Sequence, residues 1–201
     1  MAKLFVVRHG NTFDAGEVVT RVGGRTDLPL SLSGRKQADA LAAHFAETAF
    51  TAALASPLER TRATARAILG KRTDAPALLI RSFLREIDYG PDENQPEAAV
   101  VARLGEAALR AWDETAAPPP GWLVDPEAIR AGWAGLLAEA AALPEDANIL
   151  VVTSNGTARF LPDVVDEVPA GLDRKLKTGA WGEVSLAGGR AVLTDWNRRP
   201  S

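Results

Sequence analysis

The triplet Arg8-His9-Gly10 follows directly on the apolar run Lys3-Leu4-Phe5-Val6-Val7. An imidazole at the end of a strand can attack phosphorus, and a neighbouring guanidinium can grip phosphate oxygens in a fork. Gly10 lets the backbone turn sharply there. Two more segments could serve the same chemistry. Ser56-Pro57-Leu58-Glu59-Arg60 reads as the end of a strand and the start of a helix. That puts Arg60 in a first helical turn, where free backbone N–H groups already favour anions. Leu84-Arg85-Glu86-Ile87-Asp88 offers a carboxyl group, from Glu86 or Asp88, that could protonate a leaving oxygen and then deprotonate a water. Each residue also has a plainer reading. Arg60, Arg62 and Arg66 can form a solvated helix face, and Glu86 can be a surface residue at a strand end.

Periodicity supplies the elements that would position these groups. The first run is a buried strand. Ser33 caps a helix from about Gly34 to Glu47, with Ala38, Leu41, Ala42 and Phe45 as its apolar stripe. Ala52 to Ala55 and Ala77 to Ile80 read as short strands, with a helix from about Leu58 to Leu69 between them. Two helices fill much of 95–143, the second opening on Asp125 with Pro126 at its first position. Asn148 to Thr153 is a further strand. Trp181 to Leu186 and Ala191 to Trp196 alternate around Gly188-Gly189, a hairpin signal. Strands alternating with helices predict an α/β fold: a three-layer α/β/α sandwich with a mostly parallel central sheet and a C-terminal antiparallel hairpin. A single domain over 1–201 with a helical cap or insert at about 91–143 is the simplest division. In such folds the site collects beyond the C-terminal strand ends, where His9, Ser56 and Ser154 can converge.

Five segments, in order, resemble the histidine phosphatase superfamily, also called the phosphoglycerate mutase-like family. They are Arg8 to Thr12, Gly24 to Ser31 with Gly34 and Gln37-Ala38, Ser56 to Ala65, Leu84 to Gly90, and Val151 to Arg159. The resemblance implies a metal-free phosphohistidine mechanism without a cofactor. His9 would be the nucleophile, Arg8 and Arg60 phosphate ligands, and Glu86 the proton donor. Asn11, Ser154 and Asn155 would add phosphate contacts. The chain departs from the family at the turn after the fourth strand, where Ser154 stands in place of a second histidine. His44, the only other histidine, falls mid-helix and reads as structural or surface. Losing a preorganised donor of that kind costs on the order of 10²–10³ in rate. Ser154 Oγ or the Asn155 amide could still donate a hydrogen bond.

The implied function is a phosphomonoesterase acting on a small phosphorylated metabolite. The alternatives are a phospho-ligand binding protein with little turnover and a phosphoglycerate mutase-type phosphotransferase. A serine hydrolase built on Ser154 fits poorly, because Val152 stands where a nucleophile elbow needs glycine. Between Pro91 and Leu143 three arginines face nine acids, an excess of six negative charges. That should disfavour a polyanionic substrate if the segment roofs the site, and so favour phosphatase over mutase. Trp112, Trp122 and Trp133 in this segment either pack helices together or line a leaving-group pocket. A net charge of −3 gives no reason to expect a nucleic-acid partner, and the absence of cysteine removes disulfides and thiol nucleophiles. No apolar run is long enough to span a membrane, and no signal-peptide pattern is visible, so a cytoplasmic location is expected.

Overall fold

Strand β1 (Ala2–Arg8) sends Leu4 and Val6 to one side of the sheet and Phe5 and Val7 to the other, all of them buried. A strand apolar on both faces belongs in the middle of a covered sheet. In the computed structural model, which describes residues 1–70 and 72–200, β1 sits between β4 (Asn148–Thr153) and β5 (Trp181–Ala187). The sheet order is β3-β2-β4-β1-β5-β6, with β2 at Ala52–Ala55, β3 at Leu78–Ile80 and β6 at Arg190–Arg198. The first four strands of that order run parallel. β5 is antiparallel to β1, and β6 is antiparallel to β5. The β5–β6 turn is made by Gly188 (φ 58°) and Gly189 (φ 77°), the left-handed pair that a tight hairpin requires.

Helices α1 (Leu32–His44) and α2 (Glu59–Leu69) cover one face. Leu41, Phe45, Ala65 and Ile68 meet Phe5, Val7, Leu150 and Val152 there. Helix α5 (Pro126–Ala141) covers the other, setting Trp133, Leu136 and Ala140 into the core that contains Leu4, Val6, Ile149 and Val151. The expected sandwich, mostly parallel sheet and terminal hairpin are all present.

Several local expectations need correction. The cap of α1 is Ser31, not Ser33. Its Oγ accepts from Gly34 N–H at 3.1 Å, while Ser33 lies inside the helix. That helix ends at His44 rather than Glu47, so His44 is terminal. There its ring lies 5.1 Å from that of Trp181, at the edge of the aromatic cluster of Phe5 and Phe45. Three helices, not two, occupy 95–143, because Gly105 (φ 76°) breaks the first into α3 (Glu97–Leu104) and α4 (Glu106–Thr115). The third, α5, opens as expected: Asp125 accepts from Ala128 N–H at 3.0 Å. It lies on the sheet, so within 91–143 only the part before it borders the site. Trp112, Trp122 and Trp133 are all buried. Among the described residues, no helix is long and apolar enough to cross a membrane.

Candidate active site

The last β1–β4 pair is Arg8 with Thr153, so the chain leaves both strands side by side. His9 N–H donates to Thr153 O at 3.2 Å, which fixes the imidazole at the sheet's C-terminal edge. The loop after His9 then passes against α1 with no room for side chains. A Cβ on Gly10 would fall 2.3 Å from Gly34 O, and one on Gly34 would fall 2.0 Å from Asn11 O. From β4, Thr153 Oγ1 donates to Leu84 O at 2.7 Å, and Thr157 Oγ1 donates to Arg85 O. These bonds bring the Glu86 segment over the strand ends.

His9 is buried. Its Nδ1 lies 2.7 Å from Gly10 O, which accepts the ring N–H and makes Nε2 the acceptor nitrogen of the ring. Arg60 Nε donates to that Nε2 at 3.2 Å. Arg60 is itself fully buried, with Nη1 donating to Thr26 O at 2.8 Å and Nη2 to Gly23 O at 3.2 Å. Arg8 Nη1 donates to Leu176 O at 2.9 Å. Burial, followed by the charges of Arg60 and Arg8, holds the His9 imidazolium form well below its ordinary range, so the ring is neutral near pH 7. Burial also lowers Arg8 and Arg60, and the Glu86 carboxylate opposes the loss of charge at both. Glu86 Oε1 accepts from Ile87 N–H at 2.9 Å. Gly156 makes room for it, because a Cβ there would lie 2.0 Å from Oε1.

Arg8, His9 and Glu86 border a cleft of about 760 Å³. Arg8, His9, Asn11, Glu86 and Asn155 line it, as the sequence suggests. Asn11 Oδ1 accepts from Thr178 Oγ1 at 2.5 Å and its Nδ2 donates to Ser33 Oγ at 3.2 Å, while Asn155 Oδ1 accepts from Leu176 N–H at 2.8 Å. Arg60 stands behind His9 rather than on the wall. Ser154 is fully buried, is not part of the cleft wall, and its Oγ has no hydrogen-bond partner. Asp88 pairs with Arg25 at 2.9 Å, away from the cleft.

Sequence reasoning assigned no role to Arg21, Arg159 and Lys175, which also line the cleft. Arg159 is almost fully buried, stacks 4.0 Å over the Trp112 ring and pairs with Asp113 at 3.4 Å. Its signal was an arginine inside the apolar stretch Ala158-Arg159-Phe160-Leu161, where a charge must find partners. Arg21 lies over Tyr89 and Trp122 and pairs with Glu97. Its polar, glycine-bearing neighbourhood carried no such signal. Arg103 and Arg130, counted earlier as part of the roof, turn away to Asp92 and Asp163.

Residues 4–199 match the profile of the histidine phosphatase superfamily, branch 1. The chain belongs to that superfamily. Curated superfamily relatives include the probable phosphoglycerate mutase GpmB of Enterobacter sp., 29% identical over 181 residues, which are 88% of this chain and 80% of that one. The 2,3-bisphosphoglycerate-dependent phosphoglycerate mutase 2 of Gloeobacter violaceus is 32% identical over 134 residues, 65% of this chain and 60% of the relative. Bovine fructose-2,6-bisphosphatase TIGAR is 36% identical over 126 residues, 61% of this chain and 45% of the relative. The chain thus spans roughly half the length of the last two. Among solved structures of the fold, a mycobacterial glucosyl-3-phosphoglycerate phosphatase in complex with VO3 superposes with a TM-score of 0.78 at 25% identity. That match covers 97% of this chain and 98% of the other. The Entamoeba histolytica phosphoserine phosphatase in complex with 3-phosphoglyceric acid gives 0.75 at 20% identity over 98% of both chains.

Proposed function

We propose that this superfamily member is a phosphomonoesterase that works through a phosphohistidine on a small phosphorylated metabolite. The observation that carries the reading is the state of His9: buried and neutral, its Nδ1–H spent on Gly10 O, and its ring in the wall of a cleft that Arg8 and Glu86 share. In the free protein Arg60 Nε–H occupies the Nε2 lone pair. An incoming phosphate oxygen replaces Nε2 as that acceptor and frees the nucleophile. Nε2 then attacks phosphorus in line, and the P–O bond to the leaving group breaks. The Glu86 carboxyl gives its proton to the departing oxygen, while Arg8 and Arg60 neutralise the equatorial oxygens. In the second half Glu86, now ionised, takes a proton from water. The oxygen of that water displaces His9 from phosphorus and inorganic phosphate leaves.

Asn11 and Asn155 serve as uncharged phosphate contacts in this reading. Ser154 contributes little, because its hydroxyl is sealed behind the wall. Hydrolysis is favoured over phosphotransfer by Glu97, which neutralises Arg21, and by Asp113, which Arg159 and Lys175 share on the cleft wall. That leaves less positive charge for a second anionic group on a substrate. The relatives named above include both phosphatases and mutases, so the choice rests on these pairs.

Chelator-treated enzyme should release phosphate from an aryl phosphate, and His9→Ala should lower the rate by roughly 10³-fold or more. Acid quenching should trap label on His9 of the wild type. If wild type and His9→Ala are equally inert across a broad phosphomonoester panel, the phosphatase reading gives way to a phospho-ligand binding protein.

A further inference from the structure

The Arg60 guanidinium is held by two backbone carbonyls of one short turn, Gly23 O and Thr26 O. The opposite side of that turn presents N–H and O–H donors, and they converge on a single carboxylate. Glu93 Oε1 accepts from Gly23 N–H at 3.1 Å, Arg25 N–H at 3.0 Å and Thr26 Oγ1 at 2.8 Å. Its other oxygen accepts from Tyr89 N–H at 3.1 Å. A Cβ on Gly23 would lie 2.1 Å from that oxygen, so the close approach depends on glycine. The turn is therefore a peptide spacer with its donors on an anion and its acceptors on a cation. The dipoles line up between the two charges, and each end strengthens the other.

We propose that Glu93 is a positioning residue for phosphate recognition: it sets the turn 23–26, and the turn sets the Arg60 guanidinium against His9. This rests on the assignment of Arg60 as a phosphate ligand. A carboxylate with four donors is worth more here than one with a single partner, because charge-assisted bonds in a half-buried setting are strong and fix direction. Burial works against the Arg60 charge, and Glu93 and Asp27 are among the carboxylates that oppose the loss. Further ties anchor the same turn. Gly24 N–H donates to Ile87 O at 2.8 Å and Gly24 O accepts from Arg85 Nη1 at 3.1 Å; Asp27 accepts from Glu59 N–H at 2.7 Å at the start of α2, and Arg25 pairs with Asp88 and donates to Gly90 O at 2.8 Å. These hold the turn in place, whereas Glu93 alone faces the three donors that orient its carbonyls toward Arg60.

A double-mutant cycle tests this, with inorganic phosphate affinity measured by calorimetry and aryl phosphate turnover measured in parallel. Glu93→Gln keeps the volume and removes the charge; Glu93→Ala removes both. In the wild-type background each should weaken phosphate binding, by roughly tenfold for Glu93→Ala, and lower kcat/KM by a similar factor. In an Arg60→Ala background the same changes should cost less than about twofold, because the group they act through is gone. A merely structural role would lower the melting temperature and affinity equally in both backgrounds, and that result overturns the proposal. If Arg60→Ala itself leaves phosphate affinity unchanged, the phosphate-ligand assignment fails and this proposal fails with it. If Arg60→Ala weakens binding but Glu93→Gln costs the same in both backgrounds, only the positioning role is lost.

Discussion

At the scale of single residues, Glu86 is fitted closely to the backbone around it. Glu86 is buried, and its Oε1 sits where a side chain on Gly156 would otherwise be. Gly156→Ala would place a methyl group 2.0 Å from Oε1 and 2.9 Å from Ile87 Cγ1, so the carboxylate must leave its position. If Glu86 is the general acid, the loss should depend on the leaving group. Turnover of an alkyl phosphate should fall by roughly 10²-fold, and that of an aryl phosphate by less than about tenfold, because a phenolate departs without full protonation. Equal losses on both substrates would remove Glu86 from the proton transfer. That His9, Arg8 and Glu86 come together in one cleft could be read from residue type and order. The burial of Ser154 could not, because a position in a motif does not say which way a hydroxyl points.

At the scale of elements, the helix start at α1 matters as much as the strand ends. Gly10 and Gly34 let the loop after β1 touch the first turn of α1 backbone to backbone. Asp14 ties the same loop to Leu32 N–H at 3.0 Å and Ser33 N–H at 2.8 Å. Gly34→Ala would force the loop and helix apart, since its Cβ would meet Asn11 O at 2.0 Å. Overpacking of this kind costs about 1–3 kcal/mol. Urea unfolding should show that loss, and kcat/KM should fall with it because Asn11 shifts. Unchanged stability would mean that the loop moves freely and does not register the site against α1. Most elements were legible from periodicity, including β1, β4, the hairpin and the Asp125 cap of α5. The misassigned boundaries have local causes. Ser31 and Ser33 are chemically equivalent caps, and only the path of the loop decides between them. Gly105 lies in an otherwise helical pattern, and only its left-handed backbone shows that it breaks the helix.

At the scale of the whole molecule, burying a neutral imidazole between two guanidinium groups makes stability depend on pH. His9 takes up a proton far less readily in the folded protein than in the unfolded chain, where its ordinary value is about 6.5. Below that value the unfolded chain binds the extra proton and the folded one does not. Stability therefore falls as pH drops through about 6.5 and stops falling from this source only below the folded-state value. Chemical denaturation between about pH 6.5 and pH 5, above the range of ordinary carboxylates, should show this slope. His9→Asn should flatten it by up to about 1.4 kcal/mol per pH unit. A slope that survives the substitution would assign the proton uptake to another group.

The amino-acid sequence by itself determined the α/β class, the strand that delivers His9 and the order of the chemical groups along the chain. Those properties follow from local pattern: apolar periodicity, turn residues and charged side chains just past strand ends. Only the tertiary structure decided which charges face one another. Arg159 and Arg21 joined the cleft because the packing of Trp112, Trp122 and Tyr89 brought them there. Arg103 and Arg130 left it for Asp92 and Asp163. The tie from Glu93 through residues 23–26 to Arg60 joins three segments distant in sequence, and its energy depends on distances that no spacing rule contains.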